Sequence, residues 1–281
     1  MGMIPAFGGS PHVSMTPRDF PIAPPAAASV REGAASSLGT IVSASGVLIT
    51  DLQSGQLVYG RDLDRRRPIA SLTKLMTALI VVETMDLDEM IKVPADIAEV
   101  EGLVVYLKPG ERYSVRSLLT ALLINSANDA AEVLARHGGN DSVAAFVNQM
   151  NERAKTLGLK DTSFRNPSGL DETHHFSTSR NIAWLTTYAL RKPAIAERMG
   201  MKNATITSSI GNTIQLTNTN QLLHSESAVI LGKTGTTDAA GECLLSIVQE
   251  GGRSYVVILL HSSDRYADMR MVLSMLRTLS V

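Results

Sequence analysis

The sequence predicts an α/β (α+β) protein in which one antiparallel sheet, drawn from both ends of the chain, is flanked by helices and interrupted by an inserted helical region. Three observations carry this expectation. Strand-like runs separated by turn residues occupy about 38–60 and 226–262, helical apolar spacing fills much of about 71–225, and a last helical pattern follows the final strand. At 281 residues, 44% apolar and 19% charged, the chain is long enough to bury one substantial core without disulfides.

The elements follow in order. Residues 1–36 are rich in Pro, Ala, Gly and Ser, as in Pro24-Pro25-Ala26-Ala27-Ala28, and lack an apolar period, so they read as a linker or arm ahead of a domain spanning 37–281. Thr40-Ile41-Val42 and Gly46 to Thr50 read as strand, and Gln53-Ser54-Gly55 turns the chain into a partner at Gln56 to Tyr59. From Ser71, a natural N-cap, Leu72, Leu75, Met76, Leu79 and Ile80 form a broad apolar helix face. Further helical patterns cover Val115 to Leu123, Asp129 to Arg136, Val143 to Leu157 and Ser179 to Leu190. Strands return at Ala228 to Gly232, Glu242 to Val248 and Ser254 to Leu260, the last two joined at Gly251-Gly252. Met269, Val272, Leu273 and Leu276 then space a closing helix that covers one sheet face.

Composition excludes several function classes. The formal net charge is −1 and no basic run is interleaved with aromatics; Arg65-Arg66-Arg67 reads as a solvated turn, so no nucleic acid is expected. Cys243 is the only cysteine and sits in a strand-like run, where a buried, inert thiol is expected. His12, His137, His174, His175, His224 and His261 lack the spacing of a metal site, and His174-His175 reads as a solvated polar loop. Asp86, Asp88 and Glu89 lack the spacing of a Ca²⁺ loop. Neither a metal nor a cofactor is expected. No run approaches the roughly 20 apolar residues of a membrane span, and the first residues show no signal-peptide pattern.

Three short motifs carry chemistry. Ser71-Leu72-Thr73-Lys74 places a hydroxyl and an amine three residues apart on a helix face, within mutual reach; a serine needs such a base, and the lysine must be neutral to act as one. Ser126-Ala127-Asn128, between two predicted helices, projects a hydroxyl and an amide side by side, although both could simply cap the following helix. Lys233-Thr234-Gly235 ends a predicted strand, where a cation and a hydroxyl suit a carboxylate and the glycine admits another backbone alongside. Each is weak alone. Together, once each and in this order, they match the S-x-x-K, S-D-N and K-T-G set of class A β-lactamases and penicillin-binding proteins, with Ala127 in place of the aspartate.

With these motifs the chain resembles the low-molecular-mass penicillin-binding proteins, the D-alanyl-D-alanine carboxypeptidases and related D,D-endopeptidases. The likeness runs from about Val47 to the C-terminus and includes Arg67-Pro68-Ile69-Ala70, Asn128-Asp129-Ala130-Ala131, Asn166-Pro167-Ser168-Gly169-Leu170 and Asn218-Thr219-Asn220. The resemblance implies a β-lactamase/transpeptidase-like fold and removal of the terminal D-alanine from peptidoglycan stem peptides, with β-lactam antibiotics as further ligands. It implies Ser71 as nucleophile, Lys74 as its base, and Ser126 with Lys233 as proton relay. Asn128 would bind a substrate amide, Thr234 beside Gly235 the terminal carboxylate, and the N–H groups of Ser71 and Thr236 an oxyanion. An extracytoplasmic location is expected, with membrane attachment only through an N-terminal anchor. The alternatives are cleavage of D-amino-acid cross-links, a β-lactamase, and a non-catalytic cell-wall-binding module. Against a β-lactamase, Glu172 is the only glutamate between Phe164 and Thr173 and follows the turn-forming Asn166-Pro167-Ser168-Gly169, so it is expected to be a surface carboxylate.

Overall fold

The computed structural model describes residues 42–279. Five antiparallel strands, in the order β2-β1-β9-β8-β7, form the main sheet: β1 (Gly46–Asp51), β2 (Leu57–Arg61), β7 (Val229–Thr237), β8 (Gly241–Glu250) and β9 (Arg253–Ser262). Early and late strands of the described chain therefore meet inside the sheet, where β1 pairs with β9 from Gly46↔Leu260 to Asp51↔Tyr255. The strands alternate, and both faces are buried. Val47, Ile49, Leu244, Val257 and Leu259 face a cluster closed by α8 (Arg265–Leu279) through Met269, Val272, Leu273 and Leu276. Leu48, Leu245, Ile247, Val256 and Ile258 face the larger cluster under the helical region. Burial on both faces explains why these antiparallel strands read as continuous apolar runs.

Between β2 and β7 lie α1 (Lys74–Thr84), α2 (Val115–Thr120), α3 (Asn128–Gly138), α4 (Val143–Thr156), α5 (Ser179–Ala189), α6 (Pro193–Gly200) and α7 (Leu222–Ser225). Helix α1 is buried from Lys74 to Val81, on every face rather than on one stripe, with Lys74 and Thr77 as its buried polar members. Two small two-stranded sheets, β3 (Met90–Lys92) with β4 (Arg112–Ser114) and β5 (Asn203–Thr207) with β6 (Thr213–Thr217), interrupt the region expected to be helical.

The expected arm 1–36 lies outside the described residues, as do Thr40 and Ile41. Other expectations are corrected. Val42 is buried but not in a strand. Ser71 does not cap α1: it lies inside a 3-10 turn, Ala70–Thr73, that enters the helix. Lys233-Thr234-Gly235 does not end a strand, because β7 continues through it to Thr237. Its pairing with β8 runs unbroken from Leu231↔Ile247 to Thr237↔Gly241, which keeps the motif extended.

Candidate active site

All three motifs converge on a cleft of about 440 Å³ whose lining includes Ser71, Ser126, Asn128, Thr234, Thr236 and Arg265. Its floor is the 3-10 turn bearing Ser71. Ala70, just before it, has φ +46, a conformation that side chains rarely adopt and that neighbours must enforce. Two glycines press on the turn. A Cβ on Gly235 would stand 2.8 Å from the Ser71 nitrogen, and one on Gly169 (φ +88) would stand 1.9 Å from the Ala70 carbonyl oxygen. The edge strand β7 and the loop around Gly169 can thus touch the backbone of Ser71 and of Ala70, respectively, only without side chains.

Lys74 opens α1 and has no exposed surface. Its Nζ lies 2.8 Å from Ser71 Oγ, 2.7 Å from Asn128 Oδ1 and 2.6 Å from the Ser168 carbonyl oxygen. Asn128 Nδ2 donates to the Glu101 carbonyl at 2.8 Å, which fixes the amide so that Oδ1 faces the lysine. Burial holds Lys74 well below the usual amine range; the charge of Lys233 adds to this, and Asp129 opposes it. Asp129 accepts the backbone N–H groups of Val105 at 3.2 Å and Leu107 at 3.1 Å, pinning the 100–108 loop beside the cleft.

The second motif occupies a break between helices. Helix α2 widens into a π turn, Ala121–Asn125, and Ser126 follows with φ +63 before α3 begins at Asn128. Neither Ser126 nor Asn128 caps α3; Ala127 stands at the cap position, without a side-chain cap bond. Such single π turns recur at functional sites, and this one, together with the left-handed Ser126, breaks the helix and redirects one side chain. Here the redirected hydroxyl accepts from Lys233 Nζ at 2.7 Å. Lys233 also donates to the Thr234 carbonyl at 2.9 Å, and burial, then the charge of Arg265, lower it to about 7.

Three contributors escape the motifs. Thr219 Oγ1 lies 2.6 Å from Thr234 Oγ1, and the Ser168 carbonyl serves Lys74. Arg265, at the start of α8, donates from Nη1 to the carbonyls of Gly235 at 2.9 Å and Cys243 at 3.0 Å, and from Nη2 to Thr236 Oγ1. One signal was available for it: a cation in the first turn of a helix opposes the macrodipole and calls for another reason to be there. His175 is corrected too. It is buried rather than solvated, while His174 beside it is exposed. Cys243 is buried as expected, and its thiol is pushed up to about 11 by desolvation. Among the described residues, no cluster of three or more His, Cys, Asp or Glu could hold a metal ion.

Comparison with known proteins gives a consistent picture. The family described as D-alanyl-D-alanine carboxypeptidase matches residues 32–263. The chain is 30% identical over 225 residues to the D-alanyl-D-alanine carboxypeptidase DacF of Bacillus subtilis, covering 78% of this chain and 58% of that protein. It is 33% identical over 252 residues to the D-alanyl-D-alanine endopeptidase of Escherichia coli, covering 88% and 80%. It therefore spans less than two thirds of the Bacillus relative but most of the Escherichia one. The crystal structure of a Streptomyces DD-transpeptidase superposes with a TM-score of 0.78 at 27% identity, covering 83% of this chain and 97% of that one.

Proposed function

Because the chain belongs to the D-alanyl-D-alanine carboxypeptidase family of serine peptidases, we propose that it removes the terminal D-alanine from peptidoglycan stem peptides, outside the cytoplasm, through an acyl-enzyme on Ser71. One observation carries the reading. The three acceptor contacts of Lys74 leave a neutral amine only one arrangement: its two N–H groups donate to Asn128 Oδ1 and the Ser168 carbonyl, so its lone pair faces the Ser71 hydroxyl. Lys74 then takes the Ser71 proton as Oγ attacks the carbonyl of the penultimate D-alanine. The developing oxyanion lies between the N–H groups of Ser71 and Thr236, and losing one such donor costs about 3 kcal/mol in barrier.

The leaving amine needs a proton. Ser126 delivers its own as the C–N bond breaks and is restored from Lys233, 2.7 Å away. Thr234 and the charge of Arg265, both lining the cleft, suit the carboxylate of the leaving D-alanine. Asn128 Oδ1 is committed to Lys74, so the amide serves the base as well as the substrate, which it meets through its remaining N–H. Water then cleaves the ester on Ser71 and frees the shortened peptide.

A β-lactam acylates the same serine, but its amine stays tethered after ring opening and blocks the path of water. Glu172 is not placed to relieve this: it is exposed, 3.2 Å from Asn166 Nδ2, and lines a neighbouring hollow rather than the Ser71 cleft. A peptide ending in D-Ala-D-Ala is expected to yield D-alanine with wild type and none with Ser71→Ala; turnover surviving in that variant refutes the assignment. The identity with the Escherichia endopeptidase over 80% of that protein favours a second substrate, the D-amino-acid cross-link. Turnover of a cross-linked dimer but not a monomeric pentapeptide would replace the first reading with the second.

A further inference from the structure

One buried titratable side chain has no part in this scheme. His175 closes a loop whose base is the antiparallel bridge between Ser163 and Phe176, with N–H to carbonyl distances of 2.9 and 3.0 Å. The loop between them forms one wall of the cleft. It delivers the Ser168 carbonyl to Lys74, the Pro167 carbonyl to Thr77 Oγ1 at 2.7 Å, and Gly169 against Ala70. His175 Nε2 lies 2.8 Å from Oγ1 of Thr73, a fully buried member of the 3-10 turn that bears Ser71. Its Nδ1 accepts the Arg165 backbone N–H at 3.3 Å, and its ring meets Phe164 edge-on at 5.9 Å.

These contacts select one tautomer. The Arg165 N–H can only donate, so Nδ1 must be the bare nitrogen and Nε2 must carry the hydrogen it gives to Thr73. The imidazole therefore bridges the far end of the loop to its beginning and to the nucleophile turn in a single side chain. Building on the proposed function, we infer that His175 is a positioning residue: it clamps the 163–176 loop to Thr73 and so keeps the Ser168 carbonyl on Lys74, with the lysine lone pair aimed at Ser71.

The charged groups facing the ring are Asp171 and Arg165 of its own loop and Lys74 of α1. Burial, with Arg165 and Lys74, outweighs Asp171 and brings His175 from 6.5 to about 4. It is neutral at ordinary pH, as the clamp requires. Below about 4 a second hydrogen on Nδ1 would confront the Arg165 N–H and open the loop.

The test measures Ser71 acylation by benzylpenicillin under stopped flow, separating the binding constant from the acylation rate constant. In His175→Leu the rate constant is expected to fall about ten- to a hundredfold with binding nearly unchanged, the size expected when a reacting group shifts by about 1 Å. His175→Gln, whose amide N–H stands where Nε2–H does, is expected to retain most of the rate. In wild type the logarithm of the rate falls with acid as Lys74 takes its proton and steepens again below about pH 4, whereas the Gln variant shows no second break. Equal rates in wild type and the Leu variant, or equal losses in Leu and Gln, would overturn the inference alone. A wild type that is never acylated overturns the proposed function and this inference with it. Should His175→Leu fail to fold, the question passes to Thr73: Thr73→Val, which lacks the acceptor, must lose rate while Thr73→Ser keeps it, and any other pattern counts against the clamp.

Discussion

The two faces of the main sheet obey different rules. Against α8 the packing is leucine, valine and methionine in regular strands and one regular helix. Under the helical region the same sheet meets two buried lysines, two non-glycine residues at positive φ (Ala70 and Ser126), and a helix interrupted by a π turn. The second face is built against local preference at each of these points. Such departures persist only where the surroundings over-determine them. The regular face supplies stability that the irregular face spends on holding reactive groups in place.

Removing the lysine that opens α1 makes the largest break in this contrast. Lys74→Met keeps length and apolar contact but removes the proposed base, and acylation of Ser71 is expected to drop about 10²- to 10⁴-fold. Stability moves little: relief from burying an amine is offset by stranding Asn128 Oδ1 and the Ser168 carbonyl, each worth about 1–3 kcal/mol when left unpaired. Stopped-flow acylation and urea unfolding on the same preparation check both halves. A variant that acylates at the wild-type rate would mean that Lys74 is structural and that the two faces differ only in composition.

The opposite face should respond the other way. Leu259, fully buried on the α8 side and paired with Leu244, loses about 2–5 kcal/mol of stability on truncation to alanine. Acylation per folded molecule should stay at the wild-type value, because Ser71, Lys74, Ser126 and Lys233 all lie outside that cluster and Tyr266 alone of the cleft lining packs against it. A fall in the acylation rate constant at full folding would show that strain crosses the sheet.

The same division separates what is legible in the amino-acid sequence from what is not. The main sheet, the closing helix and the central helix are legible because periods of two and of 3.6 survive wherever packing alone decides. The two small sheets are harder. Strands β3 and β4 are three residues each, too short for a period, whereas β5 and β6 do alternate, with Ile206 and Leu216 inward among threonines, and carry a signal that the helical expectation for this region overlooks. The proposed chemistry of Ser71, Lys74, Ser126 and Lys233 is legible as motifs, but the parts played by its supports are not. Ser168 and Thr219 fall in runs that carry the family likeness without showing what they touch, and Arg265 lies in none; the three come from separate parts of the chain and meet only through the fold. Ser71's place within a 3-10 turn is hidden because a serine before an apolar helical run reads as a cap.

The smallest effect distinguishes the faces by pH. Lys233 titrates near 10.5 when unfolded and about 7 when folded. Between those values the unfolded chain holds a proton that the folded chain lacks, so unfolding takes up a proton and stability rises with pH. The slope from this lysine is at most about 1.4 kcal/mol per pH unit. Lys74, also lowered, adds in the same direction. Of the other shifted groups, Cys243, raised from 9.0 to about 11, opposes the climb only as pH nears 9, where the unfolded thiol begins to ionise. His175, at about 4 against 6.5, has completed its contribution by pH 7, and Tyr113, raised to about 12, acts only above 10, where it lowers stability with rising pH. Urea unfolding at pH 7, 8 and 9 is therefore expected to show stability climbing in wild type and a shallower climb in Lys233→Met. Leu259→Ala should lower the whole line without tilting it, because its loss is packing alone. A wild-type line that is flat from pH 7 to 9 would mean that Lys233 keeps its proton in the fold, and the irregular face would then be holding a charge rather than avoiding one.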